Sequence, residues 1–233
     1  MHVSRETLRA GSRSEALSAV PSRGSFERDE LSEIVPDMTL ESIFGSRVDM
    51  AVRYHDLLAT RGIEWGLLGP REAERLWSRH ILNCAAIAPM IPADACVVDV
   101  GSGAGLPGIP LALVRPDLNV TLLDSLLRRV QFLELVTGEL GLGDQVTVVR
   151  ERAEQCTRVY EVVVARAVAP LWRLIEWCEP MMGKCLVALK GEGAETEVED
   201  AASILDRRGL AARVVHVNDH IGGIATAVEV VRR

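Results

Sequence analysis

Residues 95–108 read ACVVDVGSGAGLPG, an apolar run followed at once by a glycine-rich loop. The run at 95–100 is short and rich in valine, which predicts a buried strand. The loop at 101–105 stands where this strand would enter a helix, and its glycines allow positive φ angles and close approach of a ligand. Because open α/β sheets bind ligands at the carboxyl ends of their strands, this loop is the first candidate binding site.

Strand-like and helix-like segments alternate after the loop. Strands are predicted at 119–124, 145–150, 160–165, 184–190, 211–217 and 225–231, and helices from 108 to about 115, at 126–140, at 171–181 and from 198 to 209. Parallel strands need helical crossovers, whereas the last two strands follow each other directly. The pattern therefore predicts a doubly wound, mostly parallel, seven-stranded α/β sheet that ends in an antiparallel hairpin at one edge.

Two helical patterns precede the sheet. One apolar face is formed by Leu40, Ile43, Phe44, Val48, Ala51, Val52 and Leu58, and a second by Ala73, Leu76, Trp77, Ile81 and Cys84. Residues 1–36 are rich in Ser, Arg and Glu without a sustained period, which predicts a disordered tail. We therefore expect a tail at 1–36, a helical N-terminal extension at 37–92 packed on the sheet, and an α/β domain at 93–233.

Composition restricts the classes of protein that remain. The chain has 233 residues, of which 48% are hydrophobic and 25% charged, which is ordinary for a globular protein. The net charge of −7 argues against a polycationic nucleic-acid binder, although a local basic patch is compatible with it. Aromatic residues make up only 4% of the chain, which argues against a broad platform for stacking bases.

The cysteines indicate neither a disulfide framework nor a zinc site. There are five, without a Cys-x-x-Cys pair, and we expect them to be small buried hydrophobic residues in a reducing compartment. No apolar run approaches the ~18 residues of a membrane span, and no N-terminal run resembles a signal peptide. We therefore expect a cytoplasmic protein that needs no metal and no membrane. A monomer is the expected oligomeric state, although no motif in the sequence indicates it.

The glycine loop departs from the dinucleotide pattern. The fingerprint G-x-G-x-x-G would place its third glycine at position 106, which is Leu106, and Asp99 stands two residues before Gly101. A carboxylate beside the loop would repel a pyrophosphate and attract a cation. S-adenosylmethionine carries a sulfonium and an amino group and no phosphate, so Asp99, Gly101, Gly103 and Gly105 are predicted to hold it.

Two acidic residues extend this site. Asp124 ends the second predicted strand, where a carboxylate accepts hydrogen bonds from ribose hydroxyls, although it could instead be an acid at a helix N-terminus. Glu154 follows the third strand and could bond the adenine amine, or be a solvated loop residue. Because NAD also contains an adenosine, a nicotinamide dehydrogenase stays open as an alternative.

The substrate side is less specific. The chain lacks both the Asn/Asp-Pro-Pro-aromatic loop typical of exocyclic amine methylation and the Pro-Cys pair of pyrimidine carbon-5 methylation, which favours a ring nitrogen such as guanine N7. Basic residues near the predicted strand ends suggest a polyanionic substrate: Arg79, His80, Arg128, Arg129, Arg150, Arg152, Arg166 and Lys190. Each could instead be solvated or paired, and His80 could be a buried helix residue.

Several separate motifs, in order, resemble the glucose-inhibited division protein B family. They are WSRHILN at 77–83, DVGSGAGLPGIP at 99–110, LLDS at 122–125 with RRVQFL at 128–133, RA at 166–167 and ALKG at 188–191. The resemblance implies a Rossmann-like class I methyltransferase that uses S-adenosylmethionine to methylate N7 of a guanine in 16S small-subunit ribosomal RNA. The substrate would be that RNA or the assembled small subunit.

The resemblance also implies roles for individual residues. It places cofactor contacts at Gly101, Leu106, Ala153, Glu154 and Arg166, with ribose contacts at Asp124 and Ser125. Lys190, Arg128 and Arg129 would face RNA, together with Arg79, His80 and Arg152 from the basic set, and Arg166 and Lys190 are the candidate catalytic residues. The chain departs from the family at 66–69, where GLLG replaces a common Asn-Leu-Thr segment. A methyltransferase of another substrate and a non-catalytic RNA-binding assembly factor remain as alternatives.

Overall fold

The computed structural model describes residues 40–218 and 224–233, so the tail predicted at 1–36 lies outside the described residues. Seven strands form one sheet: β1 Cys96–Val100, β2 Asn119–Asp124, β3 Val146–Arg150, β4 Tyr160–Arg166, β5 Met182–Lys190, β6 Leu210–Asn218 and β7 Ile224–Arg232. Their order is β3-β2-β1-β4-β5-β7-β6. The first five are parallel, and β7 is antiparallel to both β5 and β6, which confirms the predicted architecture.

The strand order reverses between β1 and β4. From β1 the chain moves to β2 and β3 on one side, and then returns to add β4 and β5 on the other side. Loops leaving the carboxyl ends of β1 and β4 therefore diverge and leave a crevice between them. The glycine loop lies on one side of this crevice and residues 167–170 on the other.

The helices cover both faces of the sheet. They are α1 Leu40–Phe44, α2 Val48–Leu57, α3 Asn83–Ala85, α4 Gly108–Val114, α5 Leu127–Glu139, α6 Leu171–Cys178, α7 Ala194–Asp200 and α8 Ala202–Arg208. The prediction of one helix from 198 to 209 is wrong, because this part of the chain forms two helices, α7 and α8, which are separated by Ala201. Gly209 ends α8 in the left-handed conformation, with φ of 64°.

The extension contains two π-helical segments. The second predicted helix of the extension consists of a 3₁₀ segment Pro70–Arg75, a π-helical segment Leu76–Leu82 and then α3, and a further π-helical segment, Leu58–Gly62, follows α2. The predicted apolar residues Leu76, Trp77, Ile81 and Cys84 are buried. Apolar spacings of three and four therefore identified the buried face but did not distinguish the α-helical from the π-helical form.

Alternation along β1 divides the core into two layers. Val97 faces a cluster formed with α4, α5 and the extension, whereas Val98 faces a cluster formed with α6, α7 and α8. Ile43, Phe44 and Tyr54 of the extension belong to the first cluster. The extension thus packs on the sheet as part of a common apolar layer, and the domain division at residue 92 stays a prediction.

The cysteines are free thiols, and one of them departs from expectation. Cys84, Cys156, Cys178 and Cys185 are buried, but Cys96 is exposed because it is the first residue of β1. Burial raises the pKa of the Cys178 thiol to about 12 and that of Cys84 to about 11, which makes both poor nucleophiles. In the described ranges, no cluster of His, Cys, Asp and Glu is arranged to hold a metal, and no helix has the length and apolar character to cross a bilayer.

The last glycine of GLPG lets α4 pack closely against the sheet. A Cβ at Gly108 would overlap Leu122 and lie 2.9 Å from Asp99 Oδ2, whereas a Cβ at Gly138, near the exposed end of α5, would meet nothing within 4 Å. We predict that Gly108→Ala lowers the free energy of unfolding by about 1–3 kcal/mol, as overpacking does. Gly138→Ala should raise it by about 0.5–1 kcal/mol, because glycine is a poor helix former. Urea denaturation measures both, and equal effects of the two variants would contradict this account.

Candidate active site

The glycine loop takes conformations that other residues rarely adopt. Gly101 has φ of 70° and Gly105 has φ of 95°. A Cβ at Gly101 would lie 2.9 Å from Val168 Cγ2, and one at Gly105 would lie 2.7 Å from Ile109 Cγ1. The glycines therefore permit both the turn and its close contact with the β4–α6 loop across the crevice.

The loop uses its own amide groups as internal donors. Gly101 N and Ser102 N donate to Leu123 O at 2.8 and 3.2 Å. Gly103 N donates to Asp124 Oδ2 at 3.1 Å. The amides of Gly105 and Leu106 donate to Ser102 O at 2.7 and 3.1 Å. Phosphate-binding loops present such N–H groups to the ligand, so this loop is poorly suited to a pyrophosphate.

Asp99 lies beneath the loop rather than beside it. Its side chain is fully buried, because strand alternation turns it toward α4, and its Oδ2 accepts a hydrogen bond from Gly108 N at 2.9 Å. Burial raises the pKa of this carboxyl to about 7, although the bond from Gly108 opposes the shift. The expectation of a carboxylate flanking the ligand is therefore corrected: Asp99 holds the start of α4. Its Oδ1 is buried and has no hydrogen-bond partner among the described residues.

A cavity of about 250 Å³ lies over the ends of β1, β2 and β3. Five predicted cofactor residues line it, namely Gly101, Asp124, Ser125, Ala153 and Glu154. Further lining residues include Glu151, Arg129, Arg152, Val168 and Trp177. The other five predicted cofactor residues, Asp99, Gly103, Gly105, Leu106 and Arg166, are not among the described residues that line it, and their contact with a cofactor stays a prediction.

Asp124 combines the two roles that the sequence left open. Its Oδ1 accepts from Leu126 N at 2.9 Å, next to the start of α5, and its Oδ2 accepts from Gly103 N and from Arg129 Nη1 at 3.3 Å. The same carboxylate also lines the cavity. Asp124 is thus both an acid at a helix start and the group that joins the glycine loop to the ligand space.

The smaller cavity fits an adenosine with a cationic substituent. Its walls carry three carboxylates, from Asp124, Glu151 and Glu154, and two guanidinium groups, and Trp177 adds an aromatic surface. Asp124 is paired with Arg129 of the same wall, and Glu151 with Arg158, which is not among the described lining residues. Sequence reasoning missed Trp177, because in α6 it reads as one more apolar residue of the helix. Acceptors for ribose and amine hydrogens are present, and the amides that would hold phosphate are already used.

A larger cavity of about 770 Å³ lies over the ends of β4 and β5. Its lining residues include Arg79, Asn83, Arg166, Ala167, Val168, Lys190 and Glu197. Val168 lines both cavities, so the two adjoin at the β4–α6 loop. Ala167 has φ of 53°, and strained residues of this kind cluster at functional sites.

Arg166 and Lys190 both line the larger cavity, but only Lys190 is paired with a carboxylate of the described residues. Lys190 Nζ donates to Glu197 Oε2 at 2.6 Å and to Ala169 O at 2.9 Å, and the same Glu197 oxygen accepts from Leu171 N at 2.7 Å. The Lys190 charge is therefore neutralised, and its ammonium fixes the β4–α6 loop. Arg166 forms no ion pair with a described carboxylate and keeps its charge at the cavity.

The remaining basic residues are spread over different surfaces. Arg79 lines the larger cavity, whereas Arg129 and Arg152 line the smaller one. Arg128 is exposed near Gly66, and Arg150 is exposed with its Nε 3.4 Å from Ser125 O. His80 is buried with its Nε2 2.6 Å from Glu72 Oε2, so its ring is part of the protein interior. RNA contact by each of these residues stays a prediction.

The extension reaches the glycine loop directly. The Tyr54 hydroxyl, fully buried on α2, donates to Ala104 O at 2.9 Å. Burial raises the pKa of Tyr54, so the hydroxyl stays protonated and remains a donor. Apolar periodicity gave no sign of this role.

The buried carboxyl of Asp99 predicts a pH dependence of stability. Its pKa is about 7 in the folded state and near 3.8 when unperturbed, so the folded state holds an extra proton between these values and loses stability as pH rises toward 7. Asp99→Asn has no such proton. We predict that urea denaturation at pH 5, 6, 7 and 8 shows the stability of the variant relative to wild type increasing with pH. A difference that is constant across this range would show that Asp99 does not titrate there.

Comparison with known proteins identifies the family of the sequence. The family model of rRNA small subunit methyltransferase G matches residues 47–220. The ribosomal RNA small subunit methyltransferase G of Kineococcus radiotolerans is 48% identical over 204 residues, which cover 85% of this chain and 80% of that protein. The protein of the same name from Streptomyces coelicolor is 49% identical over 203 residues and 84% of each chain. The resemblance drawn from the motifs is confirmed.

Solved structures agree on the fold. A magnesium protoporphyrin IX methyltransferase of Synechocystis PCC 6803 with bound SAM has a TM-score of 0.55 and 18% identity, over 79% of this chain and 97% of that one. TYW2 of M. jannaschii in complex with AdoMet has a TM-score of 0.53 and 16% identity, over 68% and 78%. At these identities the likeness shows the class I methyltransferase fold alone. From the family model and its relatives, this chain belongs to the rRNA small subunit methyltransferase G family.

Proposed function

We propose that this protein transfers a methyl group from S-adenosylmethionine to N7 of a guanine in 16S small-subunit ribosomal RNA. One observation carries the proposal: a cavity rich in carboxylates adjoins, at Val168, a larger cavity that contains the unneutralised guanidinium of Arg166. The first suits a cationic adenosine compound, and the second suits an electron-rich substrate. The family and its relatives are named as small-subunit ribosomal RNA methyltransferases, which supports methyl transfer to that RNA.

The smaller cavity would hold the cofactor. Asp124 and Ser125 would accept hydrogen bonds from the ribose, and Ala153, Glu154 and Trp177 would surround the adenine. The glycine loop would lie against the methionine part, with Asp99 supporting it from beneath. When bound, this cofactor supplies a methyl group activated by a positively charged sulfur. The protein's part is then to align the acceptor atom and to exclude water.

The larger cavity would receive the guanine. N7 of a guanine has a free lone pair and no proton to lose, so the reaction needs no general base. Arg166 would donate hydrogen bonds to O6 or to a phosphate, because N7 must keep its lone pair for the methyl group. Lys190, held by Glu197, would shape the loop over the base rather than bind phosphate. A cavity at the protein surface requires an unpaired base, so the target lies in a loop or bulge of the RNA or of the assembled subunit.

The cofactor site is tested by removing one negative charge from its wall. Asp124→Asn removes the negative charge from the cavity, so we predict about a tenfold weaker affinity for S-adenosylmethionine, close to the loss of one charge-assisted hydrogen bond. Asp144→Asn, an exposed carboxylate after α5, is the matched control and should bind as wild type does. Isothermal titration calorimetry measures both variants. Binding of NAD by the wild type in preference to S-adenosylmethionine would refute the proposed cofactor.

The reaction itself is tested on its substrate. Small ribosomal subunits purified from a strain that lacks this protein should accept labelled methyl groups in its presence, and nucleoside analysis should identify 7-methylguanosine. Subunits from the parent strain, already modified, should accept little label. Transfer to another nucleoside would overturn the guanine assignment. Tight binding to the subunits without transfer would leave a non-catalytic assembly factor as the function.

A further inference from the structure

The guanidinium of Arg166 is held by the N-terminal extension, although Arg166 itself ends β4. Its Nη2 donates to Arg79 O at 3.1 Å and lies 2.9 Å from His80 Nδ1, and its Nη1 donates to Cys84 Sγ at 3.2 Å. Arg79 and His80 belong to the π-helical segment Leu76–Leu82, and Cys84 belongs to α3. The direction of this side chain is therefore set by a part of the chain that precedes the sheet.

These contacts determine the tautomer of His80. An arginine side chain only donates, so His80 Nδ1 must carry no proton and accept the bond. The proton of the neutral ring is then on Nε2, which donates to Glu72 Oε2 at 2.6 Å. Burial lowers the pKa of His80, and the charges of Arg166 and Arg79 lower it further against the opposing effect of Glu72. The ring is thus neutral, with one nitrogen on each partner.

Arg166 keeps its charge within this arrangement. The three atoms that contact it are a carbonyl oxygen, a neutral ring nitrogen and a thiol sulfur, and no carboxylate of residues 40–218 and 224–233 forms an ion pair with it. Three of the five N–H donors of the side chain are used in these contacts. A guanidinium that served only to join two parts of a fold would not need to line a cavity, whereas Arg166 lines the larger one.

We propose that Glu72 and His80 are positioning residues for methyl transfer. Glu72 holds the ring of His80, and His80 orients the guanidinium of Arg166 toward the substrate base. The assignment deepens the proposed function and rests on it, because it takes the larger cavity as the site of the RNA base. It makes the extension part of the active site, and it gives the π-helical segment a function, as is frequent for such turns.

Two substitutions of the same residue separate the two contacts. In His80→Asn the amide oxygen can take the place of Nδ1 and accept from Arg166. In His80→Gln the longer side chain places its amide where Nε2 was, so the contact with Glu72 can be kept but the contact with Arg166 is lost. Glu64→Gln is the control, an exposed carboxylate of the extension that pairs with Arg61 at 3.2 Å.

We expect kcat for methyl transfer to small subunits to fall about 100-fold in His80→Gln, the scale of a reacting group misplaced by about 1 Å. His80→Asn should lose less than tenfold. The affinity for S-adenosylhomocysteine, measured by calorimetry, should stay within about twofold of wild type in both variants. The reason is that His80 contacts Arg166, which lines the larger cavity and not the proposed cofactor cavity. The proposal would be overturned if the two variants lost kcat equally or both kept it. It would also be overturned if the loss of kcat followed the loss of folded protein or of affinity for S-adenosylhomocysteine.

A second measurement does not depend on activity. Nitrogen-15 NMR of the wild-type protein should show Nδ1 of His80 unprotonated and Nε2 protonated at neutral pH. The reverse tautomer, or a doubly protonated ring, would overturn the positioning role. If wild-type protein shows the expected tautomer but transfers no methyl group to small subunits, the proposed function fails while the contact between His80 and Arg166 stands.

Discussion

The hydrogen bonds between the glycine loop and the end of β2 are the constraint on which both cavities depend. Leu123 O accepts from two loop amides, and the carboxylate of Asp124 accepts from a third. These bonds consume the donors that a phosphate would need and leave acceptors facing the ligand space. Asp124 also accepts from Leu126 N at the start of α5, so one side chain couples the loop, the helix and the cavity wall.

The β4–α6 loop gives the site its second half. Val168 lies so close to Gly101 across the crevice that a Cβ there would overlap it. Lys190, paired with Glu197, holds the backbone next to Val168 through Ala169 O. Arg166 precedes this loop and is held by His80 from the extension. Three parts of the chain thus converge at the strand ends. The extension reaches both halves, through Tyr54 at the glycine loop and through His80 at Arg166.

The fold could be predicted from the sequence because its signals are local. The run NVTLLD matches β2 residue for residue, since a buried parallel strand is a continuous apolar segment between turns. The site could be predicted only in part. Asp124 ends β2 and Glu154 follows β3, and these places at the carboxyl ends of strands predict that both line a cavity. The burial of Asp99 depends instead on which face of β1 meets α4. The neutralisation of Lys190 by Glu197, and the burial of His80 between Glu72 and Arg166, depend on side-chain packing that spacing does not encode. Cys96 shows the same limit, because it is exposed at the first residue of β1 although apolar residues follow it.

The central claim is that this loop and cavity accept a cationic adenosine compound rather than a dinucleotide. Crystals grown with S-adenosylmethionine and, separately, with NAD test it most directly. The account predicts the sulfur compound in the smaller cavity, its ribose on Asp124, and the loop amides still bonded to Leu123 O and Ser102 O. A dinucleotide whose pyrophosphate takes over the amides of Gly101 and Gly103, in crystals where the sulfur compound leaves the cavity empty, would contradict it.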